Sequence, residues 1–242
     1  MSGHSKWSKV KHQKAVTDVT KGKFFTKAAH AIAIAVQEGG GTIDPAMNFK
    51  LRLAIEKARS VNMPKENIER AIARGKGDGG ATIETILYEG FGPGGIGLLI
   101  EAATDNKQRT VSEIRNVLDR AGGSLGSLGS VGYLFSKVGL IIIPKEGYSY
   151  DAILEKALSV PGILDVVEEQ DGYVLFTHIE ALSSVKDFLD KGGLPITHTD
   201  IVYRPIAAIA LSASDKGKLA EVLGALEDLD DVQRVFTAAE EV

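Results

Sequence analysis

The sequence predicts an α+β protein of several domains: a three-helix domain at the N-terminus, then two α+β domains, one inserted in the other. Two observations carry this. The apolar period is helical up to residue 75 and becomes that of short strands after a run of glycines. Residues 138–203 then read as a complete unit, while the segments on either side are each too small to close a domain and together would make one. A chain of 242 residues has room for one large domain or two to three small ones. Three serial domains is the alternative.

Residues 1–20 carry four lysines, Trp7 and two histidines, with Val10, Ala15, Val16 and Val19 as their aliphatics. That is too little for a core, so an arm is expected. Residues 23–37 are apolar and Ala-rich and stop at Gly39-Gly40-Gly41, which reads as a helix. Asp44-Pro45 reads as an N-cap followed by proline at the first helical position. Met47, Leu51, Ala54, Ile55 and Ala58 follow at helical spacing. Pro64 opens a third helix, with Ile68, Ala71 and Ile72 on one side and Gly75 as its stop. Gly75, Gly77, Gly79 and Gly80 form a link.

After the link, 83–89 and 97–103 are strands around GFGPGG. Thr110-Val-Ser-Glu113 matches a capping box, with Val111, Ile114, Leu118 and Ala121 as the apolar stripe and Gly122 as the end. Residues 122–132 are a Gly/Ser loop, and Tyr133-Leu134-Phe135 a short strand. Val138–Ile143, Ala152–Leu158, Ile163–Glu169, Tyr173–His178, Ile179–Asp190 and Ile196–Tyr203 give the order βαββαβ, which is the ferredoxin-like pattern. Residues 206–211 read as another strand, Leu219, Val222, Leu223, Leu226 and Leu229 as a helical stripe, and Val232–Phe236 as a last strand. The expected divisions are an arm over 1–20, a helical domain over 21–78, a discontinuous α+β domain over 79–136 plus 204–242, and the ferredoxin-like insertion over 137–203.

The net charge of −4 conceals an asymmetry. Residues 1–76 hold 15 Lys/Arg against 6 Asp/Glu, and residues 77–242 hold 13 against 26, so the two parts carry +9 and −13. Such a split points to a basic module for an acidic partner, usually nucleic acid; an unevenly solvated surface is the alternative. There is no cysteine, which removes disulfides, thiolate nucleophiles and cysteine-ligated metal centres. No apolar run reaches 18 residues and the start has no apolar h-region, so no membrane partner is expected and a cytoplasmic protein is.

Two motifs match on paper only. Residues 90–97 satisfy G-x-G-x-x-G from Gly90 and again from Gly92, but strand-like GLLIEAA follows where a dinucleotide site needs a helix. Gly122-Gly-Ser124-Leu-Gly126 fits the nucleophile elbow, but a helix precedes it, and His178 and His198 lie far along the chain. His4, His12 and His30 lack metal-ligand spacing. Neither catalysis, cofactor nor metal is expected.

The candidate nucleic-acid contacts are Lys6, Trp7, Lys9, Lys11, His12, Lys14, Lys21, Lys23 and Lys27, joined by Arg74 and Lys76 beside the glycine link. Lysines that meet phosphate release condensed counterions and drive association without reading sequence. Trp7 stacks on or wedges beside a base, or else staples the arm to the helices. Arg70 lies four after Glu66 and is expected to pair with it.

SGHSKW at 2–7, VKH at 10–12, MPKENIERAI at 63–72, YEGFGPGG at 88–95, TDNKQRT at 104–110 and GSLGSVGYLF at 126–135 resemble the YebC/PmpR family over essentially the whole chain. Gln13, Gln108 and GKGDGG at 75–80 depart from its pattern. The resemblance implies a helical N-terminal domain and two α+β domains, one ferredoxin-like and inserted, in a bacterial member. It implies a cytoplasmic DNA-binding transcriptional regulator. Other members act in translation at the ribosome, on ribosomal RNA or at proline-rich stalls, and mitochondrial relatives activate translation of a cytochrome oxidase subunit. A small-molecule sensor is a third reading, since ferredoxin-like units also bind ligands.

Overall fold

The computed structural model describes residues 18–78 and 82–240. The described residues form seven α-helices and two four-stranded antiparallel sheets. They divide into two compact units, one made of residues 135–206 and the other of the residues before and after it.

In the second of these, α1 (Asp18–Glu38), α2 (Phe49–Ser60) and α3 (Lys65–Lys76) enclose a core of Ala28, Ile32, Ala35, Val36, Leu51, Ile55, Ala58, Met63, Ile68 and Ala71. These residues recur at the three- and four-residue spacing that puts one face of each helix inward. Asn48, not Asp44, caps α2. The buried Asn48 side chain accepts from Leu51 N–H at 3.0 Å and donates to the carbonyls of Ala35 and Thr42, tying the end of α1 to the start of α2. Asp44 instead forms a local turn, accepting from Ala46 N–H at 2.9 Å. Gly75 does not stop α3. It lies inside the helix against α1, where a Cβ would sit 2.6 Å from the Ala33 carbonyl, and Gly77, at φ +100°, ends the helix in the left-handed region.

The sheet of the same unit has the order β3–β1–β2–β8, from β1 (Glu84–Phe91), β2 (Gly97–Thr104), β3 (Ser124–Leu125) and β8 (Val232–Thr237). The glycine-rich segment between β1 and β2 is a tight hairpin: Gly92 N–H donates to the Ile96 carbonyl, and Gly94 and Gly95 both have φ +72°. On one face of β2, Ala103 packs with Ile83 and Ala33 of α1. On the other, Leu98 and Leu219 close on Gly92, and α4 (Lys107–Arg120) packs with α7 (Ala213–Glu227). Burial on both faces explains why GLLIEAA is apolar at every position but Glu101, which pairs with Arg234.

The capping-box expectation at Thr110 gives way to Asn106, whose side chain accepts from Arg109 N–H at 3.1 Å, so α4 opens four residues earlier. Thr110 is fully buried and its hydroxyl donates inward, which leaves it no role at the surface. Residues 206–211 form no ladder; Ile209 makes an isolated parallel bridge to Ala239. The Gly/Ser loop contains the two-residue β3, and Gly132–Leu134 is a 3-10 turn leading into the next strand.

The other unit runs β4 (Phe135–Pro144), α5 (Tyr150–Leu158), β5 (Ile163–Glu168), β6 (Gly172–Thr177), α6 (Leu182–Lys191) and β7 (His198–Pro205), in sheet order β5–β6–β4–β7. This is the ferredoxin-like arrangement, inserted in the chain between β3 and α7 of the other unit. Its core gathers Ile141, Ile143, Ile153, Tyr173, Leu175, Leu182, Val185 and Leu189.

Candidate nucleic-acid interface

Lys6, Trp7, Lys9, Lys11, His12 and Lys14 lie outside the described residues. Lys21 falls on the backbone of α1, and its side chain also lies outside them. The remaining four candidates divide by their surroundings.

Lys23 and Lys27 stand one turn apart on α1 and both turn to the C-terminal end of α7. Lys23 Nζ donates to the Asp228 carbonyl at 3.1 Å and lies 3.7 Å from its carboxylate. Lys27 Nζ donates to the Glu227 carbonyl. Unsatisfied carbonyls and the negative end of a helix dipole favour cations here. Burial pulls the Lys27 ammonium down to about 8, against the attraction of Asp228 and Asp230. Both side chains therefore hold the helical module to the acidic body.

Arg74 is half-buried and ion-pairs with Asp105 at 3.6 Å, at the turn between β2 and α4. It is not the freer cation its place beside the link suggested. Lys76, in the last turn of α3, is exposed. Arg70 bonds Asn67 Oδ1 in place of the expected Glu66.

Arg74 borders a polar knot that joins distant parts of the chain. The carboxylate of Asp231 is buried and accepts from the hydroxyls of Thr104 and Thr110 at 3.0 and 2.7 Å. It also accepts from Arg109 at 2.8 Å, and Arg109 reaches Asp105 at 3.2 Å. Burial pushes the Asp231 pKa up, but these hydrogen bonds outweigh it and hold the group below its ordinary value. His30 of α1 faces the knot, and burial and then the Arg74 guanidinium keep its imidazole below the usual value. So TDNKQRT, at 104–110, is mainly a structural joint.

Glu89, which sequence reasoning missed, has a comparable task. Its buried carboxylate accepts from the backbone N–H groups of Gly129, Val131 and Gly132 at 2.7, 2.6 and 2.8 Å. Burial raises its pKa, and the three donors more than reverse this. It thereby fixes the Gly/Ser loop, with Leu128 turned outward. The available signal was an acid inside an apolar strand, preceding a glycine-rich segment. Ser124 of the apparent nucleophile elbow lies on the short strand β3, paired with Phe91.

Residues 5–78 match the model of the TACO1/YebC protein N-terminal domain, and residues 83–239 that of the TACO1/YebC second and third domain. Proteins named probable transcriptional regulatory protein are similar along their length. One from Persephonella marina is 42% identical over 240 residues, covering 98% of this chain and 95% of its own. One from Thermoanaerobacter pseudethanolicus is 44% identical over 237 residues, covering 98% and 96%. The crystal structure of a conserved hypothetical protein from Aquifex aeolicus superposes with a TM-score of 0.86 at 41% identity, covering 98% of this chain and 97% of that one.

Proposed function

The chain belongs to the TACO1/YebC family, and on that premise we propose that it is a non-enzymatic, nucleic-acid-binding regulator of gene expression that acts on DNA in transcription. The names of its relatives support regulation, and the observation that carries nucleic-acid binding is the +9 charge of residues 1–76. With Lys23, Lys27 and Arg74 engaged inside the fold, phosphate docking falls to Lys6, Lys9, Lys11, Lys14, Lys21 and Lys76, with Trp7 and His12 beside them. The acidic body keeps the remainder of the molecule off the polyanion. Among the described residues no helix is long and apolar enough to cross a membrane.

Affinity for duplex DNA, titrated against salt, is expected to fall with a log–log slope of about −5 for six phosphate contacts. A slope near zero overturns the reading, as does unchanged affinity after removal of residues 1–20. In-cell crosslinking with sequencing of both DNA and RNA tests the target. Promoter fragments fit transcription, and ribosomal RNA would move the regulation to translation.

A further inference from the structure

The cleft between α1 and α3 has a chemistry that delocalised phosphate docking does not use. The two helices touch where Gly75 meets Ala33. One turn back along both, the small side chains Ala29 and Ala71 leave an opening of about 290 Å³. Phe25 and Met63 complete its apolar floor. Its rim carries Thr26, Asn67, Arg70 and Arg74, so among the described residues that line it two are cationic and none is acidic.

We propose that this cleft seats one unstacked nucleotide of a single-stranded nucleic acid; the proposal rests on the reading that the N-terminal module binds nucleic acid. Phe25, partly buried against the helical core, supplies aromatic surface for a base, and the buried Met63 a polarisable thioether beneath it. The Arg70 guanidinium is exposed and tethered by Asn67, which holds its planar fork at the rim, where a phosphate attached to a seated base would lie. Arg74, held deeper by Asp105, adds positive potential. The amide of Asn67 spends its oxygen on Arg70 and keeps its N–H groups for a base edge. The volume, near the lower end for small-ligand pockets, suits one nucleotide and not a stacked pair. An apolar peptide would leave the exposed Arg70 guanidinium at the rim without an anion, which argues against it.

A base reaches such a cleft only out of the stack, so the site distinguishes single strands from duplex, which lysine–phosphate contacts do not. The test uses the full chain, with an oligothymidylate of about 20 nucleotides and a duplex of the same length as probes, read by fluorescence anisotropy. The single strand is expected to bind about tenfold more tightly than the duplex. Arg70→Gln, at an exposed position, and Ala29→Met, which fills the floor, should each abolish that preference and leave duplex affinity within about twofold. Arg70→Gln removes no core atom, so its result stands even where Ala29→Met lowers stability. Equal affinity of the wild-type chain for both probes overturns the proposal, as do variants that weaken both probes alike. If both probes bind alike and only removal of residues 1–20 matters, the cleft falls and phosphate docking stands. If neither probe binds, both fall.

Discussion

Glu89 occupies a buried position in a strand and is kept ionised there by three backbone donors. An alanine at this site leaves those N–H groups buried without an acceptor. Glu89→Ala is expected to cost about 3 kcal/mol or more, measured by urea denaturation. The pH dependence has a definite sign. The folded-state pKa is depressed, so the carboxylate contributes its full stability above the ordinary glutamate value of 4.5 and loses it as pH falls through the native value. The stability gap between wild type and Glu89→Gln should therefore be widest at neutral pH and close on acidification. A gap that widens towards acid pH would contradict the assigned ionisation. Asp231, buried with Thr104, Thr110 and Arg109 around it, adds to the same acid sensitivity.

At the scale of the element, two neighbouring glycines in GKGDGG have different tasks. Gly75 permits contact between α3 and α1, and Gly77 permits the left-handed turn that ends α3. Gly75→Ala forces a methyl group against the Ala33 carbonyl and is expected to cost about 2 kcal/mol by pushing the helices apart. Gly77→Ala strains a turn exposed to solvent and should cost about 1 kcal/mol. Thermal melts of the two variants would show it, and the reverse order would refute the packing role of Gly75. The first turns of α2 and α4 illustrate how far local reading reaches. Asp44-Pro45 and Thr110-Val-Ser-Glu113 both have the composition of a helix start, and in both cases a nearby asparagine caps instead. Asn48 also bonds the Ala35 carbonyl of α1, and Thr110 is drawn inward by Asp231; neither pull can be seen in a window of a few residues.

For the whole molecule, the engagement of Lys23 and Lys27 by the end of α7 changes how the +9 charge is distributed. Replacing Lys9 and Lys11 together with glutamine is expected to reduce the salt slope of DNA binding by about 2, one unit per phosphate contact. The same change at Lys23 and Lys27 should leave the slope nearly unaltered and lower the melting temperature, because it removes cations that cap a helix end. Equal slopes for the two double variants would show that the α1 lysines leave α7 to meet phosphate.

The sequence by itself determined the α+β class, the βαββαβ order of 138–203, the hairpin at the glycine-rich segment and the opposite charges of module and body. Each of these is written in local periodicity, turn residues or composition, which act over a few neighbours or need only counting. Tertiary structure decided which charged groups are available. Lys23 and Lys27 find their partners about 200 residues away, and the Asp231 knot spans more than 120. The cleft at Phe25 and Arg70 likewise exists only once α1 and α3 lie side by side. A basic residue looks the same in a sequence whether it will meet phosphate or a buried carbonyl; folding brings one of the two within reach.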